Sequence, residues 1–313
     1  MANKKKQTAL IGCGWFGRAH ARNLDNLSNL IAACDVNEEV ANSVASTYNA
    51  RAYTDYQKML DEEEIDAVNV VTPPKYIPKI ALECAKKGVD VLMEKPCALK
   101  LSELDSLRDY EDSVRFMPGF LELFNPVVDE LKEQVGSIGE IMAINSSRIG
   151  LYPKRNWGIG VMMDLGVHDV YLHRELARLI YNDTTVVEVS SMLRYMSSEE
   201  KYEDAIFVLL KFHKMVTCIT ANWITPSKAR WLTLAGSDAS IEVDFITGTI
   251  KRIWGENLKG DYPRSVEKLI IPLRREEPLK REISSFLYDK TPPLDLQDAH
   301  EVLKTTLKAL HQI

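Results

Sequence analysis

Gly12-Cys13-Gly14-Trp15-Phe16-Gly17 follows a β-rich run and opens a stretch with helical apolar spacing. In that setting a GxGxxG segment points to a dinucleotide. Gly12 permits a tight turn, Gly14 lets the backbone approach a pyrophosphate, and Gly17 lets helix and strand pack closely. The helix that starts at Trp15 and Phe16 offers N–H donors and positive potential to the phosphates. Asp35, in IAACDVN at the end of the next apolar run, stands where a carboxylate accepts hydrogen bonds from ribose hydroxyls and repels an added phosphate. NAD is therefore expected in preference to NADP. The competing role for Asp35 is to cap the helix that follows it.

A second group of residues could act on a substrate. Glu94-Lys95-Pro96 ends the apolar run VDVLM, and ligands of open α/β sheets bind beyond the carboxyl ends of their strands. Lys95 is thus expected where a nicotinamide and its substrate meet. Asp164 and His168, in DLGVH, are four residues apart, a spacing that puts both on one face of a helix. A carboxylate beside an imidazole can orient it and raise its basicity, as a general base requires. The competing reading is a structural helical pair.

These residues need a parallel sheet to hold them, and the chain has its pattern. From Gln7 to about Phe120, the apolar runs TALIG, LIAACD, AVNVVT, VDVLM and VRFMPG alternate with helical segments beginning near Trp15, Asn37, Lys75 and Leu101. This is an α/β, doubly wound arrangement. After Phe124 a helix over 126–135 leads into GEIMAINSSRIG, and a second helix is expected over 167–180. Short polar connections then join TVVEVSSML, DAIFVLLKF, MVTCITANW, ARWLTLAGS and ASIEVDFI, with hairpins at HKM and GSDAS. Such connections predict a mainly antiparallel open sheet. Two helices, over 278–288 and 296–311, close the chain. The expected division is a Rossmann domain over 1–121 and a substrate-binding and oligomerisation α/β domain over 122–313.

Composition narrows the functional classes. A net charge of -6, with no basic stripe interleaved with aromatics, argues against nucleic acid as a partner. No apolar run is long enough to span a membrane, and no export signal precedes the first strand-like run. The five scattered cysteines lack metal-ligand spacing, so a reducing, cytoplasmic setting without a metal is expected.

GxGxxG with His20 three residues later, Thr72-Pro73, EKP and DxGxH, followed by EPLKREISSFL and PLDLQDAHEVLKTTLKAL, make the chain resemble the glucose-fructose oxidoreductase and inositol dehydrogenase family, also called Gfo/Idh/MocA. The resemblance implies that Lys95, Asp164 and His168 form the catalytic group and that Thr72, Pro73, Glu94 and Lys95 contact the cofactor. His168 would take a hydroxyl proton while hydride leaves the same carbon, and Lys95 is the rival base. The resemblance implies that the C-terminal sheet forms the subunit interface, and an antiparallel sheet with one face free predicts a homodimer or homotetramer.

Arg148-Ile149-Gly150-Leu151-Tyr152-Pro153-Lys154-Arg155, with Phe124-Asn125-Pro126, looks like the corresponding stretch of the UDP-N-acetylglucosamine 3-dehydrogenases of that family. Arginines can grip a diphosphate with parallel hydrogen bonds. Asn125, Arg148, Tyr152, Arg155 and Trp157 are therefore expected to bind substrate, a UDP-sugar such as UDP-N-acetylglucosamine. The competing reading for Arg148 and Arg155 is ion pairing. The chain departs from that group at Trp157-Gly158, where an Arg-Asp pair is common, and at Ile77, Phe120 and Leu123, which replace polar residues. The alternatives are a free sugar or polyol substrate, a non-catalytic NAD-binding sensor, and a glycosidase using transient NAD oxidation.

Overall fold

The computed structural model describes residues 5–153, 158–196, 201–255, 266–271 and 276–313. The chain divides into two compact units, Met1–Leu121 with Glu277–Leu303, and Glu122–Glu276 with Lys304–Ile313.

In the first unit β1 (Gln7–Ile11), α1 (Trp15–Leu27), β2 (Asn29–Cys34), α2 (Glu38–Thr47), β3 (Arg51–Tyr53), α3 (Tyr56–Glu62), β4 (Ala67–Val70), α4 (Ile77–Lys86), β5 (Asp90–Glu94), α5 (Leu101–Asp105) and β6 (Phe116–Gly119) alternate along the chain. The strands form a parallel sheet in the order β3-β2-β1-β4-β5-β6. Its central strands are buried on both faces: every residue of β4 is buried, and so are Thr8 to Ile11 of β1. That double burial explains why they read as continuous apolar runs rather than alternating ones. The Rossmann expectation holds, with one strand and one helix added. β3 has three residues, two of them exposed, so no apolar run announces it.

In the second unit come α6 (Pro126–Gln134), β7 (Ile141–Leu151), α7 (Val167–Tyr181), β8 (Val186–Arg194), β9 (Ala205–Phe212), β10 (Val216–Asn222), β11 (Ile224–Gly236), β12 (Ala239–Asp244), β13 (Thr249–Gly255) and β14 (Val266–Ile271). The sheet order is β14-β13-β12-β11-β7-β10-β9-β8. All pairs are antiparallel except β7 with β10. The connections at HKM and GSDAS join antiparallel neighbours, as expected. β13 and β14 extend the sheet beyond the expected strands.

The compact units divide the far end of the chain differently from the expected 122–313. α8 (Pro278–Tyr288) and the first part of α9 (Leu296–Ala309) belong to the first unit. The reason is local packing: Leu279, Ile283, Phe286 and Leu287 are buried, and α8 packs on α1. Arg115 donates to the Phe286 and Lys290 carbonyls, and Tyr288 donates to that of Leu27.

Candidate active site

The loops after β1, β2, β4 and β5 leave the carboxyl edge of the parallel sheet. The strand order reverses between β1 and β4, which opens the crevice where such sheets bind ligands. Gly12 has φ +96°, and a Cβ there would lie 2.3 Å from the Val71 carbonyl oxygen. At Gly17 a Cβ would lie 2.0 Å from the Gly12 carbonyl oxygen. At Gly14, by contrast, a Cβ would meet nothing within 4 Å. The turn is therefore closed towards the sheet and open at the residue preceding α1. Gly14 caps α1 without a side-chain bond, and Trp15, next to it, is 83% exposed. Phe16 packs edge to face on His20.

Asp35 is half-buried at the end of β2. One of its oxygens accepts from the Cys13 backbone at 2.8 Å and the other from Asn37 N at 2.9 Å. The N-cap of α2 is Asn37, which accepts from Val40 N, so Asp35 is not that cap. It ties the glycine turn to the second strand. Beyond β4, the buried Thr72 hydroxyl has no hydrogen-bond partner, and Pro73 precedes a short turn leading to α4. The open face at Gly14, the carboxylate at Asp35 and the unpaired Thr72 hydroxyl together fit a dinucleotide.

Glu94 closes β5 and is nearly buried. Asn69 Nδ2 lies 3.0 Å from His20 Nδ1, and His20 Nε2 lies 3.1 Å from Glu94 Oε1. With an amide donating to Nδ1, the ring hydrogen sits on Nε2 and points at the carboxylate. The other Glu94 oxygen accepts from Lys95 N at 3.1 Å. The lysine backbone is thus held by a chain of bonds reaching into α1 and β4. The Lys95-Pro96 peptide is cis. Glu282 of α8 is fully buried, its carboxyl pushed well above the usual range by burial and by the Glu94 charge.

In the second unit Asp164 lies in a π-helical turn, Met162–Gly166, and His168 in the first turn of α7. Glu203 holds that turn: its carboxylate accepts from Met162 N at 2.8 Å, and its carbonyl from Val161 N at 3.1 Å. His168 is 7% exposed, and its Nδ1 lies 2.6 Å from the Tyr171 hydroxyl. Next to it, Arg148 Nε donates to Asp169 Oδ1 at 3.1 Å and Arg148 Nη1 to Glu122 Oε1 at 3.0 Å. Burial works against the Arg148 charge, but Asp169 and Glu122 outweigh it and keep the guanidinium protonated. Burial likewise opposes the Glu122 charge, yet Arg148, Asn125 and Arg230 hold its carboxyl below the ordinary value. For Asp169 burial wins over Arg148 and raises it to about 6.

Two of the residues expected to bind substrate have partners within their own unit. Arg148 is 1% exposed and paired with two carboxylates. Asn125 is the N-cap of α6: its oxygen accepts from Val127 N and its nitrogen donates to Glu122. Tyr152 is 46% exposed and packs edge to face on Trp223. Arg155 and Trp157 lie outside the described residues. Ile77 and Phe120 are buried rather than exposed to a ligand. Sequence reasoning missed Tyr171, Glu122, Asp169 and Glu282. Only Glu282 left a signal, a carboxylate on the apolar stripe of α8 beside Leu279, Ile283 and Phe286.

Residues 6–118 match the GFO/IDH/MocA oxidoreductase family, NAD-binding Rossmann fold, and residues 131–242 match the GFO/IDH/MocA C-terminal domain. The chain belongs to the GFO/IDH/MocA family. It is an oxidoreductase, within a group of NAD-binding sugar and polyol dehydrogenases. One relative, the UDP-N-acetylglucosamine 3-dehydrogenase of Acidithiobacillus ferrooxidans, is 27% identical over 285 residues, 90% of this chain and 87% of its own. A solved structure of such an enzyme from the same organism has a TM-score of 0.86 at 24% identity, across 98% of this chain and 97% of that one, and shows the shared fold. The inositol 2-dehydrogenase 2 of Saccharopolyspora erythraea is 28% identical over 215 residues, 64% of this chain and 62% of its own.

Proposed function

We propose that this enzyme oxidises a secondary hydroxyl of a UDP-sugar, such as the 3-hydroxyl of UDP-N-acetylglucosamine, using NAD rather than NADP. The observation that carries the reading is the presence of Lys95, Asp164 and His168 together in a chain that aligns over 90% of its length with an enzyme of that name. Gly12, Gly14, Trp15, Phe16 and Gly17 receive the pyrophosphate, Asp35 accepts from the adenosine ribose, and Thr72, Pro73, Glu94 and Lys95 contact the rest of the cofactor. Bound NAD supplies a nicotinamide ring that accepts the hydride. His168 takes the hydroxyl proton on Nε2. Lys95 Nζ donates to the same oxygen and stabilises the alkoxide as it develops. Asp164 supports the histidine charge that results. The protein acts as a homodimer or homotetramer through the open face of the second sheet. Its five cysteines, all free, suit the cytoplasm.

One observation favours a second reading, a free sugar or polyol as substrate. Arg148, the strongest sequence candidate for a diphosphate, is already occupied by Glu122 and Asp169. The deciding experiment offers the protein and NAD a panel of UDP-sugars, free hexoses and inositols and follows NADH absorbance. NADH from UDP-sugars alone is the expected result. NADH from free sugars or polyols without the nucleotide overturns the UDP-sugar assignment and keeps the dehydrogenase.

A further inference from the structure

The group that holds His168 is a phenol. Its hydroxyl, on Tyr171 three residues along α7, lies 2.6 Å from His168 Nδ1, and the two rings meet edge to face with centroids 5.5 Å apart. Tyr171 is 2% exposed. The Glu122 backbone N–H donates to the same oxygen at 3.1 Å, and Glu122 is itself anchored by Arg148 at 3.0 Å. The phenol is therefore held twice, by packing of its ring and by a backbone donor on a residue whose side chain is ion-paired.

We infer that Tyr171 is a positioning residue that holds the neutral His168 ring with its hydrogen on Nδ1, leaving Nε2 to take the substrate proton. This rests on His168 being the base, as proposed above. A neutral imidazole carries one ring hydrogen, and the bond made by one nitrogen decides the state of the other. For Nε2 to accept a proton, Nδ1 must carry the hydrogen and must have an acceptor for it. The Tyr171 oxygen, which also receives the Glu122 N–H, is the atom placed to be that acceptor. A hydroxyl orients the ring without setting a full negative charge against it, which a carboxylate at this position would do.

The test is two-bond proton–nitrogen correlation NMR on protein labelled with 15N-histidine, the His168 signals being assigned by their loss in His168→Ala. Wild-type protein is expected to show neutral His168 with its hydrogen on Nδ1. Tyr171→Phe keeps the ring and its packing. It is expected to shift His168 towards the Nε2–H form and to lower kcat roughly tenfold to hundredfold, with KM and the Kd for NAD within about twofold. An Nε2–H tautomer in the wild type overturns the inference whether or not the variant folds. So does a Tyr171→Phe enzyme with wild-type kcat and an unaltered His168 spectrum. Normal turnover in His168→Ala would instead overturn the base assignment itself. An inactive His168→Ala beside a fully active Tyr171→Phe leaves His168 as the base and removes Tyr171 from its support.

Discussion

At Asp35 two demands meet in one carboxylate. It accepts from Cys13 N in the glycine turn and from Asn37 N, and the proposed function asks it to accept from ribose hydroxyls as well. A carboxylate has lone pairs enough for all of these. Hydrogen bonds to a charged acceptor contribute roughly 1.5–3 kcal/mol, so Asp35→Ala should weaken NAD by about tenfold to a hundredfold and narrow its lead over NADP. Calorimetric titration of both cofactors checks this, and unchanged affinities would leave Asp35 as a tether of the turn alone. Residues such as Gly12 and Gly17 could be read from sequence because the backbone there admits no side chain. Arg148 could not. Its counterions come from 26 positions before and 21 positions after it, and a sequence does not show that they converge. Tyr171 was hidden for a related reason: an aromatic at helical spacing from a histidine is ordinary core packing until its oxygen is placed.

At the scale of elements, the second sheet leaves several large apolar side chains exposed among the described residues. In β9 Ile206, Val208, Leu210 and Phe212 are buried, while Phe207 and Leu209 are about half exposed. Met192 of β8 pairs with Phe207, and the same row runs on through Thr220 of β10 and Ser147 of β7 to Trp231 of β11. Met192 is 77% exposed and Trp231 46%. Apolar surface of this kind on a sheet marks a contact site, and a self-complementary patch closes most simply as a symmetric pair. Light scattering should therefore return a dimer or tetramer, and Phe207→Lys should shift it towards monomer. A monodisperse wild-type monomer at working concentration would contradict the assembly. The alternation that exposes Phe207 also made β9 to β12 readable as strands, just as the spacing of Leu279, Ile283 and Phe286 made α8 readable as a helix. β3 stayed hidden because it is three residues at a sheet edge, and β13 because charged residues interrupt its apolar pattern. The side α8 would join could not be read at all, since that depends on packing against α1, hundreds of residues earlier.

For the whole molecule, the two compact units divide the proposed chemistry. The glycine turn, Asp35, Thr72 and Lys95 belong to one, and Asp164, His168 and Tyr171 to the other. Each set is built from its own network, Asn69–His20–Glu94 behind Lys95 and Arg148–Glu122–Tyr171 behind His168. What must hold is that Lys95 and His168 act in the chemical step. The direct measurement is NADH formation by Lys95→Ala and His168→Ala on the panel sugar that the wild type turns over fastest, each variant first titrated with NAD. General-base and alkoxide-stabilising groups contribute roughly a hundredfold to ten-thousandfold each, so both variants should lose at least about a hundredfold in kcat while still binding NAD. Normal turnover in either one would contradict the assignment of that residue to the reaction.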